Sequence, residues 1–336
     1  MYNLVIPDMV KSIAIVGMQK NTGKTETLNW LLKQFKIANT IVGLTSIGID
    51  GETVDQVTDT AKPEITISAD TLFATSELHF HAKAFAAEIL AVSEQRTALG
   101  RLVIARAKEC GKILLSGPAQ TVWLKKCLCE LQNNGAEKTL IDGALFRLSS
   151  ASPAVADALI LATGAALSIN LRELVKQTAH TVRMINLPCS CEKELFFDCA
   201  EGIWIITAQG NLQKLNSQTA LAIDKVDRAE IALARTIFVA GGVTDRLIKQ
   251  LLELKAIPAV VVRDFTKLFV SADNFARLQA RGVEIGVISC SKLLAVTVNP
   301  YSPTGYVLNS EQIIAELAAH ITVPIINIRN QADAAF

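Results

Sequence analysis

The stretch "IAIVGMQKNTGKTETLNWLL", residues 13–32, decides how this chain is read. β-favouring and small residues run into Gly17, a polar loop follows, and Gly23-Lys24-Thr25 opens a segment with helical spacing. Leu28, Leu31, Leu32 and Phe35 fall at i, i+3, i+4 and i+7, one apolar stripe suited to lying on a sheet. Strand, glycine-bearing loop and helix in that order are the context of a phosphate cradle. A nucleotide carries several negative charges that must be held without side chains crowding the approach. Such a loop therefore turns backbone N–H groups inward, and the helix N-terminus adds its dipole.

Each residue type in the loop has a task. Gly17 and Gly23 permit close approach, Lys24 reaches the outer phosphates as a point charge, and the Thr25 hydroxyl ligates a bridging Mg2+. Gln19, Lys20, Asn21 and Thr22 complete the expected nucleotide-binding turn. Five residues, Met18 to Thr22, separate the two glycines where GxxxxGK[ST] has four, so the loop is one residue longer than usual. A chance GKT at a strand-to-helix turn is the competing reading, and the strand before it and amphipathic helix after it weigh against that.

A phosphate-binding site also needs a carboxylate at the end of a neighbouring strand to position the metal or its water. "TLIDGA" ends an apolar run at Asp142, the first candidate for that place and for a role in catalysis beside Lys24. "TSIGIDGE" ends another at Asp50, suited to a switch-like metal contact, with Glu52 close by. Parallel strands bring their carboxyl ends to one edge, so both fit, although Asp-Gly is also an ordinary turn pair. ATP is the default nucleotide: the nearest approach to a guanine-reading motif, "DKVD" at 224–227, has the wrong first residue.

Around this site, short Val, Ile and Leu runs alternate with helix-period stretches. The fold class implied is α/β, a P-loop NTPase-like and mainly parallel sheet with helices on both faces, plus a second α/β domain. Expected strands are 12–17, 40–46, 65–68, 102–106, 112–116, 139–142 and 158–162, then 203–207, 236–240, 259–263, 286–288, 294–298 and 325–328. A helix from about Ser76 would carry Leu78, Ala82, Phe85, Ala86 and Ile89 on one face, leaving His79 and His81 in water. Helices over 244–254 and 310–320 have Thr244 and Ser310 where N-caps belong. Irregular sequence from Asn170 to Glu201 suggests a nucleotide-binding domain over 1–185 and a partner-facing domain over 200–336.

Composition narrows the function classes. Half the residues are hydrophobic, which marks a folded chain, and 33 Lys plus Arg against 32 Asp plus Glu leave no field to draw it onto nucleic acid or an anionic membrane. The N-terminal residues carry no basic region followed by an apolar run, and no stretch reaches the ~18 uncharged apolar residues of a spanning helix, so a cytoplasmic protein is expected. Seven cysteines are too few and scattered for a disulfide scaffold. Cys127 and Cys129, and Cys189, Cys191 and Cys199, have the wrong spacing for zinc and read as buried or incidental thiols. "FVAGGVTDRL" (238–247) reads as a tight strand-to-helix turn, and "VNPYSPTGY" (298–306) as a rigid surface turn or a binding loop.

The longer loop resembles that of dethiobiotin synthetase and its relatives. Some members of that wider class place a signature lysine five positions before the loop lysine, where this chain has Gln19 and the neighbouring lysine is Lys20. Taken in order, "AIVGMQKNTGKTETLNWL", "VGLTSIGIDGE" with "KPEI" and "ATSE", "LLSGPAQ", "IDGALFRLSSA" with "ILATGA", and "VNPYSPTGY" resemble the small, ATPase-like reactivase subunit of lysine 5,6-aminomutase over nearly the whole chain. That resemblance implies a lysine-degradation factor that uses ATP and Mg2+ to exchange damaged cobalamin on an aminomutase. A second reactivase subunit would be its partner. The other reading is an ATP-dependent small-molecule ligase of the dethiobiotin synthetase type, and a homo-oligomer is compatible with either.

Overall fold

The run SIAIVG forms strand β1 (Ser12–Gly17), and all six residues are buried. A strand covered on both faces belongs inside a parallel sheet, and β1 has a parallel neighbour on each side. The computed structural model describes residues 4–48, 64–143, 152–215, 230–231 and 233–329. The chain continues as α1 (Lys24–Ile37), β2 (Val42–Ser46), β3 (Ile65–Ile67), β4 (Leu72–Ser76), α2 (Glu77–Ala82), β5 (Ala87–Thr97), β6 (Gly100–Ala107), β7 (Gly111–Ile113), α3 (Thr121–Asn133), β8 (Lys138–Asp142), β9 (Ala158–Gly164) and α4 (Leu171–Ile185). Then come β10 (Ile203–Thr207), β11 (Leu212–Lys214), β12 (Ala234–Val239), β13 (Val243–Thr244), α5 (Asp245–Leu252), β14 (Ala259–Val262), β15 (Leu268–Phe269), α6 (Ala272–Ala280), β16 (Ile285–Val287), β17 (Leu293–Asn299), α7 (Ser310–Ala318) and β18 (Ile325–Asn327).

These elements divide into two units, Met1–Ala179 with Leu293–Phe336, and His180–Lys292. The first is built on a nine-stranded sheet in the order β18-β17-β9-β1-β8-β2-β4-β6-β5. Neighbours from β18 to β4 are parallel, and the β5–β6 hairpin adds two antiparallel strands at one edge. Core packing fixes where the helices lie. Phe73 of β4 shares a cluster with Leu28 and Leu31 of α1, whereas its neighbours Leu72 and Ala74 share another with Cys127 and Leu131 of α3. Successive residues of a strand face opposite sides, so α1 and α3 cover opposite faces of the sheet.

The second unit has a smaller sheet, β11-β10-β12-β14-β16, in which β12, β14 and β16 are parallel and β10 runs against β12. Leu247, Ile248 and Leu251 of α5 and Phe275 and Leu278 of α6 pack with Ile237, Val239, Val260 and Val262. A disulfide joins Cys189 to Cys290 across 101 positions, closing a loop over most of this unit.

Several expectations need correction. The domain expected over 200–336 is two things: residues up to Lys292 belong to the second unit, while β17 and β18 return to the large sheet beside β9. The helix expected from Ser76 ends at Ala82, and Ala87–Thr97 is a strand because hydrogen bonding to β6 outweighs its helix-favouring composition. His79 is buried, not solvated, while His81 is exposed. β4, which no expected strand covered, is buried along its length. Asn309 rather than Ser310 caps α7, its Oδ1 accepting from the N–H groups of Glu311 and Gln312. Cys189 is neither free nor incidental. Residues Asp50, Glu52 and 224–227 lie outside the described residues.

Candidate functional site

The carboxyl end of β1 meets the N-terminus of α1 through the loop from Met18 to Gly23. The loop is held by hydrogen bonds along its length. The Met18 N–H donates to the Ala162 carbonyl on β9 (2.9 Å), the Thr22 hydroxyl to the Gln19 carbonyl (2.8 Å), and the Thr27 N–H to the Gly23 carbonyl (2.9 Å). Asn21 (φ 62°) and Gly23 (φ 93°) are left-handed, a conformation that asparagine tolerates and glycine adopts without penalty. Gly23 is also required by space, since a Cβ there would stand 2.8 Å from both Asn299 Cβ and Ile328 Cδ1. Gly17 is similarly confined, with Thr22 Oγ1 2.9 Å from where its Cβ would be.

Among the described residues no side chain caps α1. The first N–H groups of a helix have no intrahelical partner, so this 14-residue helix presents donors and the positive end of its dipole at the loop. Thr22 is buried, Gln19 and Lys20 are exposed, and Asn21, Lys24 and Thr25 are half-buried. Together these residues form a turn beside the carboxyl ends of β8 and β9, with the start of α1 facing it.

Lys24 has a defined resting place. Its Nζ donates to the Gly143 carbonyl (2.5 Å) and stands 3.0 Å from Asp142 Oδ1, with both side chains largely shielded from water. Asp142 Oδ1 accepts no aligned hydrogen bond from the described residues, so the ion pair is a charge contact. Asp142 ends β8 opposite Ile15 of β1 and Ser46 of β2, and the Ser46 hydroxyl donates to its main-chain oxygen (3.1 Å). The structure thus brings together Gly17, Gly23, Lys24, Thr25 and Asp142. Among the described residues no group of three or more His, Cys, Asp or Glu is arranged to hold a metal ion. Asp142 and the Thr25 hydroxyl are the described groups that could ligate one at this turn.

On the other flank stand Asn299 and Tyr301, inside the stretch 298–306 marked in the sequence as a turn or binding loop, and Arg329, which the sequence does not single out. Asn299, buried at the end of β17, donates from Nδ2 to the Asn21 carbonyl (3.4 Å) and accepts the Tyr301 N–H on Oδ1 (3.2 Å). Arg329 contacts Glu26 of α1 (3.4 Å) and lies over the Tyr301 ring, 5.2 Å from its centroid. A polar residue ending an apolar run just before a proline was the available signal for Asn299. Arg329 carried none. At the end of β4, Ser76 and Ser116 hydroxyls bond each other (2.7 Å), and nearby His79 keeps a buried Nδ1 without a partner among the described residues while burial pushes its pKa down.

No protein-family model, curated protein or solved structure matches this chain.

Proposed function

We propose that the first unit binds Mg·ATP at the loop between Gly17 and Thr25 and hydrolyses it slowly, as the nucleotide switch of a reactivating factor for a cobalamin-dependent aminomutase. The observation that carries the nucleotide part is Lys24 at the uncapped start of α1, 3.0 Å from the Asp142 carboxylate on the adjacent parallel strand. A terminal phosphate would draw the ammonium from Asp142, because its charge and oxygens make the stronger partner. Asp142 would then be free to hold Mg2+ or its water beside the Thr25 hydroxyl, and the loop N–H groups would take the remaining phosphate oxygens. One ligand thereby replaces one ion pair with another set of contacts, the differential interaction any nucleotide-driven change requires.

The client is supported by the resemblance of the chain's ordered motifs to the small reactivase subunit. A factor of this kind must grip its client differently in its nucleotide states, or hydrolysis would move nothing. Titration calorimetry with Mg·ATP tests the first part: wild type should bind, and Lys24→Ala should bind about 10- to 100-fold more weakly, the loss expected for one hydrogen bond to a charged group. ATP turnover should rise when a cobalamin aminomutase and the second reactivase subunit are added. Normal reactivation by Lys24→Ala would sink the mechanism.

A further inference from the structure

The motif at 298–306 has no role in phosphate binding, yet its placement is specific. If Lys24 and Asp142 take the terminal phosphate and metal, they fix one end of the nucleotide on the β8 side of β1. On the side of β1 away from the Asp142 carboxylate, the same edge leads to the ends of β9, β17 and β18. Tyr301 stands there, two residues past the end of β17, a strand about two strand spacings, roughly 10 Å, from β1. A nucleoside triphosphate reaches that far.

Tyr301 is held as a platform. Its N–H is fixed by Asn299 Oδ1, its backbone bridges Val307, and the turn behind it is closed by Ser302 N–H to the Tyr306 carbonyl (3.0 Å) and Leu308 N–H to the Pro300 carbonyl (2.9 Å). The Tyr306 hydroxyl ties the same turn to the Ala165 carbonyl just past β9 (3.1 Å). Yet the Tyr301 side of this turn stays open, 47% exposed, with a guanidinium over the ring. Arg329 has a second loose end: its Nε is buried and without a hydrogen-bond partner among the described residues. An exposed aromatic ring backed by an arginine is the arrangement on which a base stacks.

We infer that Tyr301, with Arg329 behind it, is the stacking platform for the purine base of the nucleotide whose phosphates the Lys24 loop holds. The inference rests on the nucleotide reading of that loop. Its ligand class is a purine nucleoside triphosphate, with recognition by the ring face. Asn299 is a positioning residue, linking the platform to the loop through Asn21.

Calorimetry with two probes separates this inference from the reading beneath it: Mg·ATP, which has a base, and Mg·tripolyphosphate, which has none. Tyr301→Ala should weaken ATP by about 10- to 100-fold, as expected for loss of one base–aromatic stack, and leave tripolyphosphate unchanged. Tyr301→Phe should keep ATP affinity, because the ring remains. Unchanged ATP affinity in Tyr301→Ala, or an equal loss for both probes, would overturn the platform while the phosphate loop stands. If wild type bound neither probe, both would fall.

Discussion

At the scale of single residues, the loop shows why a short motif can be read from sequence. Gly23 needs a left-handed backbone and room for no Cβ, and Lys24 needs a helix start; these are properties of consecutive positions. His79 is the opposite case. Its neighbours Glu77 and Leu78 are not buried, and only the packing of the short α2 puts it inside. Burial lowers its pKa, so the folded chain resists a proton that the unfolded chain accepts near the ordinary value of about 6.5. Stability is therefore fully present above that pH and falls as the pH drops towards the folded value. His180 in the second unit contributes with the same sign, burial outweighing its bond to the Val270 carbonyl. Thermal melts from pH 7.5 to 5.5 should show a declining Tm for wild type and a shallower decline for His79→Gln. Parallel slopes for the two would refute the assignment.

At the scale of elements, periodicity succeeded where one face decides. The α1 stripe, Leu28, Leu31, Leu32 and Phe35, is buried as its spacing requires, and it packs with Ile13 and Ile15 of β1. Leu31→Ala should cost about 2–5 kcal/mol in urea denaturation, the range for deleting a buried leucine side chain. Val92→Ala on β5, where Val92 is 43% exposed, should cost within about 0.5 kcal/mol. Periodicity failed from Phe85 to Ile89, where the expected helical stripe runs out of α2 into the edge strand β5. Ladder bonds to β6 settle that segment, and from Ala87 to Val92 they depend on partners more than ten positions along the chain, from Val103 to Ala107. Thr244 precedes α5 as expected but makes no side-chain capping bond, and its buried Oγ1 has no hydrogen-bond partner among the described residues.

At the scale of the whole molecule, the first division, between Ala179 and His180, falls within the irregular stretch where it was expected, but the chain after Lys292 does not stay in the second unit because β17 and β18 complete the large sheet. β17 covers the flank of β9 along Leu293–Asn299, and its last residue touches the loop at Asn21. A fragment ending at residue 292 would leave β9 an unprotected edge and remove Asn299, Tyr301 and Arg329. We expect it to be unfolded or aggregated by circular dichroism and light scattering, with no Mg·ATP binding; a folded fragment with wild-type affinity would contradict this account. The described residues contain no helix long and apolar enough to cross a membrane.

The sequence by itself determined the α/β class, the strand–loop–helix at residues 12–37 and the placement of Asp142 at a strand end, because each depends on backbone preferences and side-chain spacing within a few turns of chain. Only the tertiary structure decided which sheet β17 and β18 join, that Cys189 meets Cys290, and that Asn299, Tyr301 and Arg329 stand beside the loop. A strand's apolar pattern is the same whichever sheet receives it, so the choice belongs to long-range packing that leaves no local mark.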